Sequence, residues 1–139
     1  MEPELKPEFL RAIFLFKNLM NTRFSGAGKQ KFSLNEIMLL RGLTAGKSLN
    51  QIQEELAVTR SAISQNLTAL EKKGAITRET DLADRRQIII KLTKAGSIDF
   101  ATAETEFDAG FEQFVSQMGT DQLQQLISLM TTMIQLLGN

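Results

Sequence analysis

The 139-residue chain contains no cysteine, histidine, tryptophan or tyrosine, and it has two prolines. Each absence removes a class of chemistry. Without cysteine there is no disulfide framework of the kind that holds small secreted domains together. Nor is there a thiolate to react with peroxide or an electrophile. Without imidazole or thiolate a tight zinc site is not expected, and the residues call for no metal and no cofactor. Acid–base catalysis would rest on Asp, Glu or Lys. No two carboxylates share an evident pocket-forming element, so the chain does not read as an enzyme. No apolar run reaches the roughly 18 residues of a membrane span. The first ten residues, MEPELKPEFL, are charged where a secretory signal would be apolar. The expectation is a soluble cytoplasmic protein.

Net charge is absent as well, since sixteen Lys and Arg balance sixteen Asp and Glu. The distribution is uneven, however. Between Arg60 and Lys94 stand eight basic residues and four acidic ones, a net +4. Beyond Lys94 there is no Lys or Arg, and six acids occupy the remainder of the chain. A basic central segment with an acidic far end would orient the protein on a polyanion and disfavour binding backwards.

That central segment also carries the clearest structural pattern. Ser48 and Gln51 have capping-box spacing, which predicts a helix start; Ile52 and Leu56 give that helix its apolar stripe. Thr59 is the next N-cap residue. The helix after it should run to Lys73 and stop at a left-handed Gly74. Ile63, Leu67 and Leu70 fall at i, i+4 and i+7, which marks one buried face. At about 100° per residue the opposite face holds Ser61, Gln65, Thr68 and Lys72, with Ser64 at its edge. These side chains are small or polar and none is acidic. They suit close approach to a major groove, where Gln can pair bidentately with adenine and Ser can reach several base edges. By itself such a face is also what an ordinary solvated helix shows.

The residues beyond this helix shift that balance. Two strand-like runs, Gly74–Glu79 and Gln87–Leu92, flank a polar loop with Asp84, Arg85 and Arg86. Helix, turn, helix and basic β-loop together make a winged helix-turn-helix. The candidate DNA-binding residues are Arg60, Ser61, Ser64, Gln65, Thr68, Lys72, Arg85 and Arg86. Arg85 and Arg86 sit where a phosphate or a minor groove would meet them. The bland reading of Asp84-Arg85-Arg86 is a local ion-paired turn, and the two are compatible because one Arg can be braced while the other reaches out.

The pattern Asp81-x-x-Asp84-Arg85-Arg86-x-x-x-Ile90-x-Leu92-Thr93-x-x-Gly96 resembles the wing signature of the MarR family of bacterial transcription regulators. Leu70-Glu71-Lys72-Lys73-Gly74-Ala75-Ile76 is similar to that family's recognition-helix exit. Leu82 departs from the pattern, because many members have proline there. The resemblance covers nearly the whole chain and implies a single MarR-like domain over residues 1–139. It also implies a homodimer on double-stranded DNA, usually a repressor, with Arg86 placed in the minor groove and Asp84 steadying it. Members often bind small aromatic acids or lipophiles between their dimer helices and the winged part. Phe9, Ile13, Phe16, Met38 and Arg41 are the candidates for such a ligand site, against a plainer reading as core and surface. A winged helix used to bind another protein, or a transcriptional activator, are the alternative functions.

The flanks fit the same plan. A helix is expected from Pro7 to about Phe24, with Phe9, Ile13, Phe16 and Met20 in one stripe widened by Leu10, Phe14 and Leu19. Ser25-Gly26-Ala27-Gly28 reads as a loop. Ser33 and Glu36 form a second capping box, opening a helix with Ile37, Leu40 and Leu43 inside. After the wing, Thr93 should cap a long helix, and Gly119-Thr120-Asp121 should break it, with Thr120 or Asp121 as the next cap. Both helices are rich in Phe, Met and Leu, more apolar surface than one winged domain needs. The expected architecture is mostly α with a small β-wing. The winged part is 33–96, and residues 1–32 and 97–139 supply dimerisation helices.

Overall fold

A computed structural model describes residues 3–23 and 31–138. In chain order the elements are α1 (Leu5–Arg23), α2 (Leu34–Thr44), α3 (Leu49–Leu56), α4 (Arg60–Lys72), β1 (Ile76–Thr80), β2 (Ile88–Leu92), α5 (Lys94–Met118) and α6 (Thr120–Leu137). The 25–28 segment expected as a loop, and the expected helix end at Phe24, lie outside the described residues. Pro7 falls within the first turn of α1 rather than at its start, where its missing N–H costs nothing because that turn has unpaired donors anyway.

The helix starts arise from side-chain caps. Ser33 Oγ accepts from Glu36 N at 3.2 Å while Glu36 Oε1 accepts from Ser33 N at 2.8 Å. Ser48 and Gln51 make the same reciprocal pair at 3.1 and 2.8 Å. Thr59 Oγ1 accepts from Ala62 N at 3.0 Å, and Thr93 Oγ1 from Gly96 N at 2.9 Å. Each such cap contributes about 1 kcal/mol. The start of α6 departs from the sequence expectation. Gly119, at φ +87°, is the N-cap and no side chain caps the helix. The glycine makes the break by itself, so Thr120 is already helical.

The exit of α4 explains why β1 begins later than expected. Gly74 adopts φ +73°. Its N–H reaches Glu71 O at 2.9 Å, and Ala75 N–H reaches Leu70 O at 2.9 Å. That pair of bonds is a Schellman stop, and it commits Gly74 and Ala75 to ending the helix. Strand pairing therefore starts at Ile76, opposite Leu92, and runs antiparallel to Thr80 opposite Ile88. Gln87, expected in the second strand, instead closes the loop: its N–H donates to Asp84 O, and its carbonyl accepts from Asp81 N, both at 3.0 Å.

The chain divides into two compact units, Met1–Ala103 and Glu104–Asn139. The core of the first contains Phe32, Ile37, Leu39, Leu40, Ile52, Ile63, Leu67, Leu70, Ala75, Ile76 and Phe100. The stripe of α4 read from its spacing is thus the face that is buried. Phe32 and Phe100 lie outside the 33–96 segment, so the winged-helix core draws one aromatic from each flank. Ala75 and Gly96 bring the wing and α5 together. A Cβ placed on Gly96 would lie 2.0 Å from Ala75 O.

A part-buried ion pair fixes α2 to the end of α4 within this unit. Glu36 is 3% exposed, and its Oε1 accepts from Lys73 Nζ at 2.6 Å. Lys73 Nζ also donates to Lys31 O at 2.8 Å and lies 5.7 Å above the Phe32 ring. The start of α2 is therefore held to the end of α4. Removing Lys73 would strand the buried Glu36 carboxylate, at a cost of up to about 3–5 kcal/mol.

Neither α1 nor α6 buries a described residue. On α1, Phe9, Leu10, Ile13, Phe14, Phe16 and Leu19 are all exposed; on α6, Leu126, Ile127, Leu129, Ile134, Leu136 and Leu137 are too. In the second unit Phe107 and Phe111 of α5 stack at 5.8 Å between ring centroids, within one helix.

Candidate nucleic-acid interface

The turn between α3 and α4 sets the site. Ala57, at φ +52°, is the single described non-glycine residue in the left-handed region. That conformation costs an alanine roughly 1–2 kcal/mol. It ends α3 and turns the chain within three residues, so that Thr59 can cap α4. With Ile63, Leu67 and Leu70 buried on one side, the other side of α4 faces outward. Arg60, Ser61, Ser64, Gln65, Thr68 and Lys72 are all exposed. The structure thus sets all six predicted helix residues at the surface of a single element.

Thr68 differs from its neighbours. Its hydroxyl donates to Ser64 O at 3.0 Å and accepts from Arg78 Nη2 at 2.9 Å. Arg78 stands on β1, and its Nε lies 2.6 Å from Glu71 Oε1, a charge contact without hydrogen-bond alignment. Arg78 therefore ties the wing to the outward side of α4 through two residues of that helix. The sequence reading did not single it out. The available signal was a strand residue of charge opposite to Glu71, but no spacing rule links a strand to a helix face.

The wing loop, Asp81 to Gln87, holds the other two candidates. Asp84 Oδ1 accepts from both the backbone N–H and the Nε of Arg86, each at 3.1 Å. The Arg86 side chain is nevertheless 91% exposed, because the carboxylate grips its root and inner edge. Arg85 is exposed beside it. The geometry joins the two sequence readings of this loop: Asp84 braces the turn, and the guanidinium of Arg86 still faces solvent. Farther along the hairpin Lys91 pairs with Glu79 at 3.4 Å, so that lysine is partly neutralised within the wing.

The five ligand-site candidates are placed differently. Met38 and Arg41 line a cleft of about 210 Å³ with Gly42, Lys47, Ile52, Glu55 and Leu56. Phe9, Ile13 and Phe16 are exposed on α1 and are not among its lining residues. The volume falls below the roughly 300 Å³ at which small-molecule pockets begin. A second cleft, about 420 Å³, lies between the α2–α3 connection and β2 and is lined by Leu43, Lys47, Leu49 and Ile88 among others. Among the described residues no group of three His, Cys, Asp or Glu is placed to hold a metal ion. No described helix is long and apolar enough to cross a membrane.

Residues 37–108 match the family described as winged helix DNA-binding domain. The chain belongs to that family. It is also 30% identical over 82 residues to the homoprotocatechuate degradative operon repressor of Escherichia coli, a stretch that covers 59% of this chain and 55% of the repressor. This chain thus matches about half the length of that curated relative. Two solved structures share its fold over nearly the whole chain. One is a MepR–DNA complex of S. aureus, with a TM-score of 0.76 and 24% identity, covering 91% of this chain and 96% of that one. The other is the MarR of Staphylococcus aureus in complex with salicylate and kanamycin, with a TM-score of 0.70 and 21% identity, covering 97% and 93%. Among the described residues the fold is that of MarR regulators, six helices and a two-stranded wing, as the wing signature implied. The chain is a member of a DNA-binding family.

Proposed function

We propose that this chain is a transcription regulator, acting as a repressor, which binds a pseudo-palindromic operator as a homodimer in the cytoplasm. The observation that carries the reading is the outward side of α4, polar and free of acid from Arg60 to Thr68, with a wing whose arginine is braced but exposed. Ser61, Ser64 and Gln65 would read base edges in a major groove, while Arg60, Lys72, Arg85 and Arg86 would meet phosphates or the minor groove. Thr68 would act chiefly as the anchor of Arg78. The repressor name of the E. coli relative and the DNA in the MepR complex support the reading. Salicylate in the S. aureus MarR structure supports a small aromatic acid or lipophile as the releasing ligand. Phe9, Ile13, Phe16, Met38 and Arg41 are the proposed contacts.

The dimer is proposed from α1 and α6, which bury nothing within one chain yet carry broad apolar stripes. Residues 1–32 and 97–139 would supply the contacts, and residues 33–96 the DNA-reading part. Sedimentation at micromolar concentration should give a dimer; a monomer would contradict the proposal. Two-fold symmetry would then set the α4 helices about 34–36 Å apart, one DNA turn.

A mobility-shift titration on DNA from upstream of the gene tests binding itself. Gln65→Ala is expected to reduce discrimination at one base pair of each half-site by about 1–3 kcal/mol, with little change in non-specific affinity. Selection from a randomised operator reads this out, and an unchanged preference would remove Gln65 from the reading residues.

A further inference from the structure

The wing carries a residue that neither the charge argument nor the fold explains. Leu82 is 95% exposed, more than any other large hydrophobic side chain among the described residues. The other strongly exposed leucines, such as Leu136 and Leu137, belong to apolar stripes on a helix that a second copy could cover. Leu82 stands by itself between Asp81 and Ala83. The backbone there is built rather than loose. Asp81 Oδ1 accepts from Ala83 N at 2.9 Å, an Asx turn with Leu82 at its centre. Asp81 N donates to Gln87 O at 3.0 Å, which closes the loop beneath it. The tip is therefore held so that an apolar side chain projects into water, within the same seven-residue loop, Asp81–Gln87, as Arg85 and Arg86.

We propose that Leu82 is a specificity-determining contact, an apolar side chain that enters the DNA minor groove beside the wing arginines and favours A·T over G·C there. The inference rests on the DNA-binding reading of α4 and the wing. Its chemistry comes from the floor of the groove. An A·T pair presents acceptors alone, whereas G·C adds the guanine N2 amino group, a polar obstruction at the centre of the groove. A leucine can lie against the sugar walls and floor of an A·T segment. Over G·C it would have to desolvate the amino group without giving it an acceptor. Apolar side chains of this kind are recurrent minor-groove wedges. A leucine carries no charge and releases no counterion. Its loss should therefore change affinity and base preference while leaving the salt dependence alone, the reverse of what an arginine does.

The test uses the full chain and three versions of its operator, in which the base pairs under each wing are A·T, G·C or inosine·C. Inosine·C keeps the major-groove face of G·C but lacks the N2 amino group. Wild type should bind the A·T and inosine·C versions alike, about five- to tenfold tighter than G·C. Leu82→Ser should bind all three within twofold, with the slope of log affinity against log salt unchanged. Leu82→Met, which keeps an apolar side chain, should retain the preference. A Leu82→Ser protein that keeps the preference would overturn the proposal and assign the preference to the arginines. A changed salt slope in Leu82→Ser would also overturn it, because the loss would then be one of wing position. Failure of the wild type to bind any version with salt-dependent affinity would instead defeat the DNA-binding reading, and the proposal with it.

Discussion

Gly96→Ala should destabilise the protein by about 3 kcal/mol or more, at the upper end of what overpacking a core costs, and lower the melting temperature by roughly 10 °C. The added methyl would meet Ala75 O at 2.0 Å, Ala75 C at 2.7 Å and Ala75 Cα at 2.8 Å. All three are backbone atoms, so no rotamer change can make room. Either the first turn of α5 must lift away or β1 must shift. Both movements break the same joint, because Thr93 N donates to Ala75 O at 2.9 Å and Thr93 Oγ1 to Gly74 O at 2.6 Å. The wing is attached to the helices at this point, so DNA affinity should fall along with stability. Ser97→Ala, on the same turn but exposed, should change stability by less than about 0.5 kcal/mol. Thermal unfolding of the two variants decides the matter. A Gly96→Ala protein within about 1 kcal/mol of wild type would mean that α5 does not press on the chain entering β1.

Arg86→Ala should have the largest effect on DNA binding without an effect on folding. The guanidinium is gripped by Asp84 but 91% exposed, so it is oriented and still available. A contact of this kind adds affinity on every sequence rather than reading one base. Specific and non-specific binding should both weaken, by about tenfold for each wing, in line with the roughly 1.5 kcal/mol of a charge-assisted hydrogen bond. The slope of log affinity against log salt should flatten by about one for each phosphate contact removed, approaching two in a dimer. Stability should change by no more than about 1 kcal/mol, the range for exposed ion pairs. If Arg86 serves Asp84 alone, the slope stays where it was while the wing loosens. Titrations of wild type and variant at several salt concentrations separate the two.

Much of this was legible in the sequence, and for physical reasons. Capping boxes are local, so Ser33 with Glu36 and Ser48 with Gln51 could be read from spacing alone. The α4 stripe is a strict helical period, and its buried members are Ile63, Leu67 and Leu70, the three that the spacing marks. The features that escaped depend on contacts distant in sequence or on conformations that residue identity does not announce. Ala57 carries the left-handed turn of the helix-turn-helix, a place where glycine or asparagine would have signalled it. Arg78 finds Thr68 ten residues earlier in the chain, across two kinds of secondary structure. The Glu36–Lys73 pair spans 37 positions, and neither residue belongs to a pattern that would have drawn attention to the other. Phe32 and Phe100 join the core from the flanks because a small winged domain cannot fill its own interior. Strand limits moved because Gly74 and Ala75 were needed to end α4, a competition between two elements for the same residues.

Hydroxyl-radical footprinting of the wild-type protein on DNA from upstream of its gene tests the central claim most directly. If α4 and the wing form the reading surface of a two-fold dimer, two protected patches should appear with centres about 10 base pairs apart. Flanking minor-groove protection should lie outside them, under the wings, and should disappear in Arg86→Ala. A uniform footprint without this spacing, or no footprint at low salt, would contradict it.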